Sequence, residues 1–94
     1  QAAMFLEAMA DGGVACGLPR ASAIQYAAQM MLGTAKMVLE TNQHPGVLKD
    51  SVCSPAGSTI QGVRTLEECS MRAAVFDAVT VAYEKNVELK KASD

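Results

Sequence analysis

The sequence predicts an all-α fold, long helices with short connections, and a dimer with a second copy of itself. Three observations lead there. Apolar residues cluster at helical spacing, and no stretch shows the two-residue alternation of a strand. The segments between those runs are short and carry Gly, Pro and polar residues. Half of the 94 residues are hydrophobic, six of them Met and none Trp. A chain this short buries only about 60–65% of its unfolded surface by itself. That is more apolar matter than one small core encloses, so a homodimer is expected.

Residues 1–16 read as a helix that is apolar nearly all round, through Ala3, Met4, Phe5, Leu6, Met9, Ala10 and Val14. Its only charges, Glu7 and Asp11, lie four apart on one face. Gly12 and Gly13 each lower helix propensity by about 1 kcal/mol, which points to close packing against a neighbour. Gly17 is a suitable stop, and Leu18 and Pro19 follow it as a break. The second helix is expected over residues 20–40, with Ser22 and Gln25 at capping-box spacing. Ile24, Ala28, Met31, Ala35 and Val38 mark one face, and Ala27, Leu32 and Leu39 widen it. TNQHPG is a turn by composition, and Pro45 suits the first position of a short helix over residues 45–50. A helix over residues 58–68, a break at Cys69 and Ser70, and a last helix over residues 71–90 complete the chain. In the last helix Met71, Val75, Ala78, Val79, Ala82 and Leu89 keep the helical period. Phe76, Val81 and Tyr83 point elsewhere and hint at a second covered face. Lys90 and Lys91 sit where a helix C-terminus favours cations.

Composition excludes several functions. A net charge of −2 leaves no basic patch for nucleic acid, and no apolar run reaches the length of a membrane span. Cys16, Cys53 and Cys69 are odd in number and lack metal or redox spacing, so three reduced and mostly buried thiols are expected. Gln1 has no initiator Met ahead of it, which suggests a piece of a longer chain. His44 reads as a solvated turn residue, and with no second ligand at suitable spacing a metal site is not expected. Met30, Met31 and Met37 read as core or dimer packing rather than an adaptable binding surface. Glu67 and Glu68 diverge by about 100° around a helix, so they make a poor catalytic pair. Arg64 and Arg72 are placed to pair with Glu68 as surface support.

The most unusual stretch is SPAGSTIQGVRTLEE, residues 54–68. Pro55 and Gly57 bend the chain and a helix begins directly after them. The first N–H groups of that helix, around Ser58, Thr59 and Ile60, have no intrahelical acceptor and lie at the positive end of the dipole. Such a turn can receive a carboxylate or phosphate, with the hydroxyls of Ser54, Ser58 and Thr59 adding hydrogen bonds. The plainer reading is a cap, because Ser58 and Gln61 have capping-box spacing. On the residues alone both readings stand.

The stretch also resembles the C-terminal motif SPGGTTIxGLxxLE of the Δ1-pyrroline-5-carboxylate reductase family. EAMADGGVACGLPR, AAQMMLGTAKMVLETNQHPGVLKDSV and MRAAVFDAVTVAYEKNVEL resemble that family's C-terminal half in order and spacing, so the likeness covers essentially the whole chain. It implies that residues 1–94 are a helical dimerisation and substrate-binding domain, a long-helix bundle that interlocks with a second copy to form a dimer, whose N-terminal Rossmann partner lies outside this chain. It further implies NAD(P)H as cofactor, reduction of pyrroline-5-carboxylate to L-proline in proline synthesis, and an intracellular setting, cytoplasmic or, in a eukaryote, mitochondrial. By the same resemblance the substrate carboxylate would meet the amides of Ser58 and Thr59. Gly57 and Ser54 would shape the turn, Val52 would line it, and the Thr59 hydroxyl would sit by the ring nitrogen as the catalytic group. Assembly of dimers into something larger is open.

Two departures bear on the turn. Ala56 replaces the first glycine of the family's pair, and Cys69 and Ser70 replace its usual Gly-Gly between the last two helices. No GxGxxG follows a strand, so the chain is expected to bind no nicotinamide cofactor and to be inactive alone. The choice between NADH and NADPH would belong to the other domain. The competing reading is a free-standing dimerisation module with no ligand, its SPAGST turn only a cap.

Overall fold

The computed structural model describes residues 1–53 and 57–93. Among them the chain is all-α, as the periodicity predicts: α1 Ala2–Ala15, α2 Arg20–Thr41, α3 Pro45–Val52, α4 Ser58–Glu68 and α5 Met71–Ser93. It divides into two compact units, Gln1–Asp50 and Ser51–Asp94.

In the first unit α1 and α2 pack as a helical hairpin. The end of α1 explains its sharpness. Gly17 takes φ +108, a conformation that L side chains avoid. Its N–H reaches the Val14 carbonyl at 3.0 Å, and the Leu18 N–H reaches the Gly13 carbonyl at 3.0 Å. This is a Schellman closure, and it folds Leu18 back over Gly13. A Cβ built on Gly13 would lie 3.2 Å from the Ala23 Cβ and 3.4 Å from Leu18 Cδ1, whereas one on Gly12 meets nothing within 4 Å. The close packing expected of both glycines therefore belongs to Gly13 alone.

The expected cap at Ser22 and Gln25 does not form. Pro19, extended at φ −60 and ψ 145, is the N-cap residue, and no side chain caps the helix. The Leu18–Pro19 break brings the helix start forward, so Ser22 already lies within the first turn. At the other end Asn42 closes α2 in the left-handed region at φ 55, its N–H bonded to the Val38 carbonyl. His44 lies in the connection between α2 and α3, as its reading as a solvated turn residue expects. It is exposed, and its Nδ1 accepts the Gly46 N–H at 2.9 Å while its carbonyl accepts the Val47 and Leu48 N–H groups. The imidazole thus caps α3, with Pro45 at the first helical position.

The second unit joins α4 to α5 through two residues. The Cys69 N–H bonds to the Thr65 carbonyl and the Ser70 N–H to the Glu67 carbonyl, while the Ser70 carbonyl accepts the Ala74 N–H. Ser70 stands at φ +60, so one residue both ends α4 and opens α5. Arg72 turns back across this joint to Glu67, Nε to Oε1 2.7 Å. The expected partner, Glu68, is held instead by Arg64 at 3.1 Å. The reversal at Ser70 breaks the helical phase, so the partner of Arg72 is five residues away rather than four.

Among the described residues only Ala10, Ala23 and Ala27 are buried. Full burial of a Leu, Ile or Phe side chain stabilises by about 1.5–3 kcal/mol, and this chain has none to draw on. Ile24, Tyr26, Met30, Leu32, Met37 and Leu39 on α2 are all exposed, and so are Val75, Phe76, Val79, Val81, Tyr83 and Leu89 on α5. The thiols depart from expectation in the same way: Cys16 and Cys69 are exposed, Cys53 is half-buried, and all three are free. Cys16 and Cys69 are C-cap residues, placed past a last turn rather than on a packed face.

Candidate functional site

The first turn of α4 is built by what precedes it. Gly57 is the N-cap residue at φ −77 and ψ 167, and among the described residues no side chain caps the helix. These angles suit any residue, so Gly57 contributes openness here rather than a special conformation. The first intrahelical bond runs from the Gln61 N–H to the Gly57 carbonyl at 3.3 Å. The N–H groups of Ser58, Thr59 and Ile60 therefore have no acceptor within the helix. The capping box expected of Ser58 and Gln61 is not made, because Ser58 is already the first helical residue and its hydroxyl is misplaced for the role. Ser58 and Thr59 are exposed, and Gly57 and Ile60 half-buried. No acidic residue occupies the first turn of α4, so nothing on this helix competes with an incoming anion for the positive end of the dipole.

Of the residues singled out in the sequence, Gly57, Ser58 and Thr59 come together on this turn. Val52 is the last residue of α3, 67% exposed and separated from the turn by Cys53 and residues 54–56. Ser54 and the substituted Ala56 lie outside the described residues. Two grooves lie in the first unit. One of about 510 Å³ runs along the first unit between Ala3, Leu6, Ala10 and Ile24, with Glu7 and the Asp11–Arg20 ion pair on its rim. A second, about 300 Å³, lies between Met9, Leu18, Tyr26 and Met30. Both are apolar clefts flanking the α1–α2 seam and offer no convergent donors for an anion. Among the described residues the turn is a donor edge exposed at Ser58 and Thr59.

Sequence reasoning marked Cys69 and Ser70 as a break but missed the Glu67–Arg72 pair, which needed the phase break at Ser70 to be seen.

Other site chemistries do not fit. Among the described residues no three His, Cys, Asp or Glu side chains group to hold a metal ion, and no helix is long and apolar enough to cross a membrane. The glycine run of α1 is no dinucleotide cradle: Gly13 is covered by Ala23 and Leu18, and Gly17 is spent on closing the helix.

The family described as pyrroline-5-carboxylate reductase dimerisation matches residues 2–89. The Escherichia coli pyrroline-5-carboxylate reductase is 59% identical over 88 residues, which are 94% of this chain and 33% of that protein. The Arabidopsis thaliana pyrroline-5-carboxylate reductase is 53% identical over 88 residues, 94% of this chain and 32% of that protein. Among solved structures, the Plasmodium falciparum pyrroline carboxylate reductase with NADP bound superposes with a TM-score of 0.85 at 36% identity, covering 89% of this chain and 32% of the other. The chain thus spans about a third of the length of the curated relatives it matches. With a family match over nearly its whole length and a helical fold shared with a solved member, the chain belongs to the pyrroline-5-carboxylate reductase dimerisation family.

Proposed function

We propose that this chain is the part of a pyrroline-5-carboxylate reductase that joins two subunits and holds the substrate's carboxylate, in an enzyme that makes L-proline inside the cell. The observation that carries the reading is the first turn of α4, which follows a glycine N-cap and is exposed at Ser58 and Thr59. As the N-cap residue, Gly57 has no side chain with which to cap their amides. The exposed apolar faces of α2 and α5 support the other half of the reading, since a second copy of the chain would cover them.

The chemistry follows from the donors. A carboxylate set over the turn would accept the Ser58 and Thr59 amides and gain from the dipole behind them. Reduction of the cyclic imine places a hydride on carbon and a proton on nitrogen. The Thr59 hydroxyl is the group of this turn suited to hydrogen-bond that nitrogen and hold its proton. The residues of this chain do not fit a dinucleotide, so hydride delivery belongs to another part of the enzyme, and NAD(P)H is the expected donor there.

The test is Ser58→Pro in the full-length enzyme. Proline fits the first helical position, and Gly57 already has the extended conformation that a residue before proline needs. The substitution deletes the Ser58 amide donor together with its hydroxyl and keeps the helix, and Ser58→Ala, which removes the hydroxyl alone, separates the two. Hydrogen bonds to a charged group are worth about 1.5–3 kcal/mol, so affinity for proline or a cyclic carboxylate analogue should fall roughly tenfold to a hundredfold at unchanged thermal stability. Thr59→Ala should lower turnover more than it weakens subunit association. Unchanged carboxylate affinity in Ser58→Pro would return the turn to a structural role.

A further inference from the structure

We propose that Glu67, Ser70 and Arg72 form a positioning joint that sets where α4 presents its N-terminal turn, and so tune affinity for the substrate's carboxylate from the far end of the helix. This rests on the reading of the Gly57–Thr59 turn as the carboxylate site. α4 has 11 residues, a rod of about 16 Å. Its C-terminal end is fixed to α5 through a single left-handed residue, Ser70 at φ +60. Backbone bonds from Cys69 and Ser70 close α4, and the bond from Ala74 to the Ser70 carbonyl opens α5. The angle between the helices is therefore governed by very few torsions.

Among the described residues one side-chain tie runs across this joint, Arg72 Nε to Glu67 Oε1 at 2.7 Å, while the neighbouring Arg64–Glu68 pair, at 3.1 Å, lies wholly within α4 and cannot set the angle. A tilt of about 5° at the joint would carry the donor end of the rod through roughly 1.4 Å. Displacements of that order matter to bound geometry. The tied residues are 66% and 50% exposed, so the tie is a modest bias on the joint rather than a lock. Its loss should alter the population of the aligned state by about two- to fivefold.

The experiment uses the full-length enzyme and three variants: Glu67→Gln, Arg72→Gln and the charge exchange Glu67→Arg/Arg72→Glu. Each single variant should raise the Kd for proline, measured calorimetrically, by roughly two- to fivefold. The KM for the nicotinamide cofactor and the subunit mass should stay constant. The exchange should restore most of the affinity, which a loss of general stability would not allow. Arg64→Gln serves as the control and should leave the Kd alone. If the single variants bind proline normally while Ser58→Pro does not, the joint is wrong and the turn stands. If Ser58→Pro also binds normally, the turn reading fails and this inference falls with it. Weakened binding that the exchange does not restore also overturns the joint.

Discussion

Replacing Ser70 by glycine should make the domain more stable although it removes atoms. A non-glycine residue in the left-handed region costs about 1–2 kcal/mol, and Ser70 is held there at φ +60 by the hydrogen bonds on either side of it. Its side chain is exposed and has no partner among the described residues, so glycine forfeits no packing. Glycine returns about 0.4–1 kcal/mol through the greater freedom of the unfolded chain, which leaves a net gain near 1 kcal/mol per protomer. For a domain of this size that is a rise in Tm of about 4–8 °C. Calorimetry at fixed protomer concentration reads it, because subunit association makes Tm depend on concentration. Ser70→Ala should change little, Ser70→Asn should gain part of the glycine effect, and the β-branched Ser70→Val should lose stability. A Tm that falls in Ser70→Gly, or one equal for glycine and alanine, would refute the strain argument.

Two further outcomes follow from the caps and glycines. Gly12→Ala should stabilise by up to about 1 kcal/mol from helix propensity, while Gly13→Ala should fall short of it, since its methyl must displace Ala23 from 3.2 Å; denaturant unfolding of the pair reads the difference, and a destabilising Gly12→Ala would place a neighbour against that face. His44→Ala should cost about 1 kcal/mol by removing the acceptor of the Gly46 N–H, and His44→Asp should recover most of it; equal midpoints for all three side chains would show that the cap carries no weight.

The helices were legible because their apolar spacing and their Gly and Pro breaks agree. Gly17 and Pro45 could be assigned from residue chemistry alone. The caps were less legible, and for a physical reason. Capping-box spacing at Ser22/Gln25 and at Ser58/Gln61 states only that the side chains could reach. Which residue becomes the cap depends on where the chain leaves extended conformation, and Pro19 and Gly57 decide that. The pairing of Arg72 was misjudged on the same ground, because helical spacing does not carry across a left-handed residue. The burial of the cysteines was misjudged because apolar content predicts that something must be covered, not which chain covers it. The candidate turn was visible in the sequence as an open amide edge. Its ligand entered only through resemblance to a family, since an amide edge accepts any small anion.

Among the described residues the buried side chains of the α1–α2 seam are methyl groups, and this has a consequence for the life of the molecule. Three alanines let two helix backbones come close but give them little reason to stay. A freshly synthesised copy would hold its greasy faces open to proteases and to other nascent chains until something settles on them. Dilution should then act on this domain much as urea does, and its survival in a cell should follow how much of it is made.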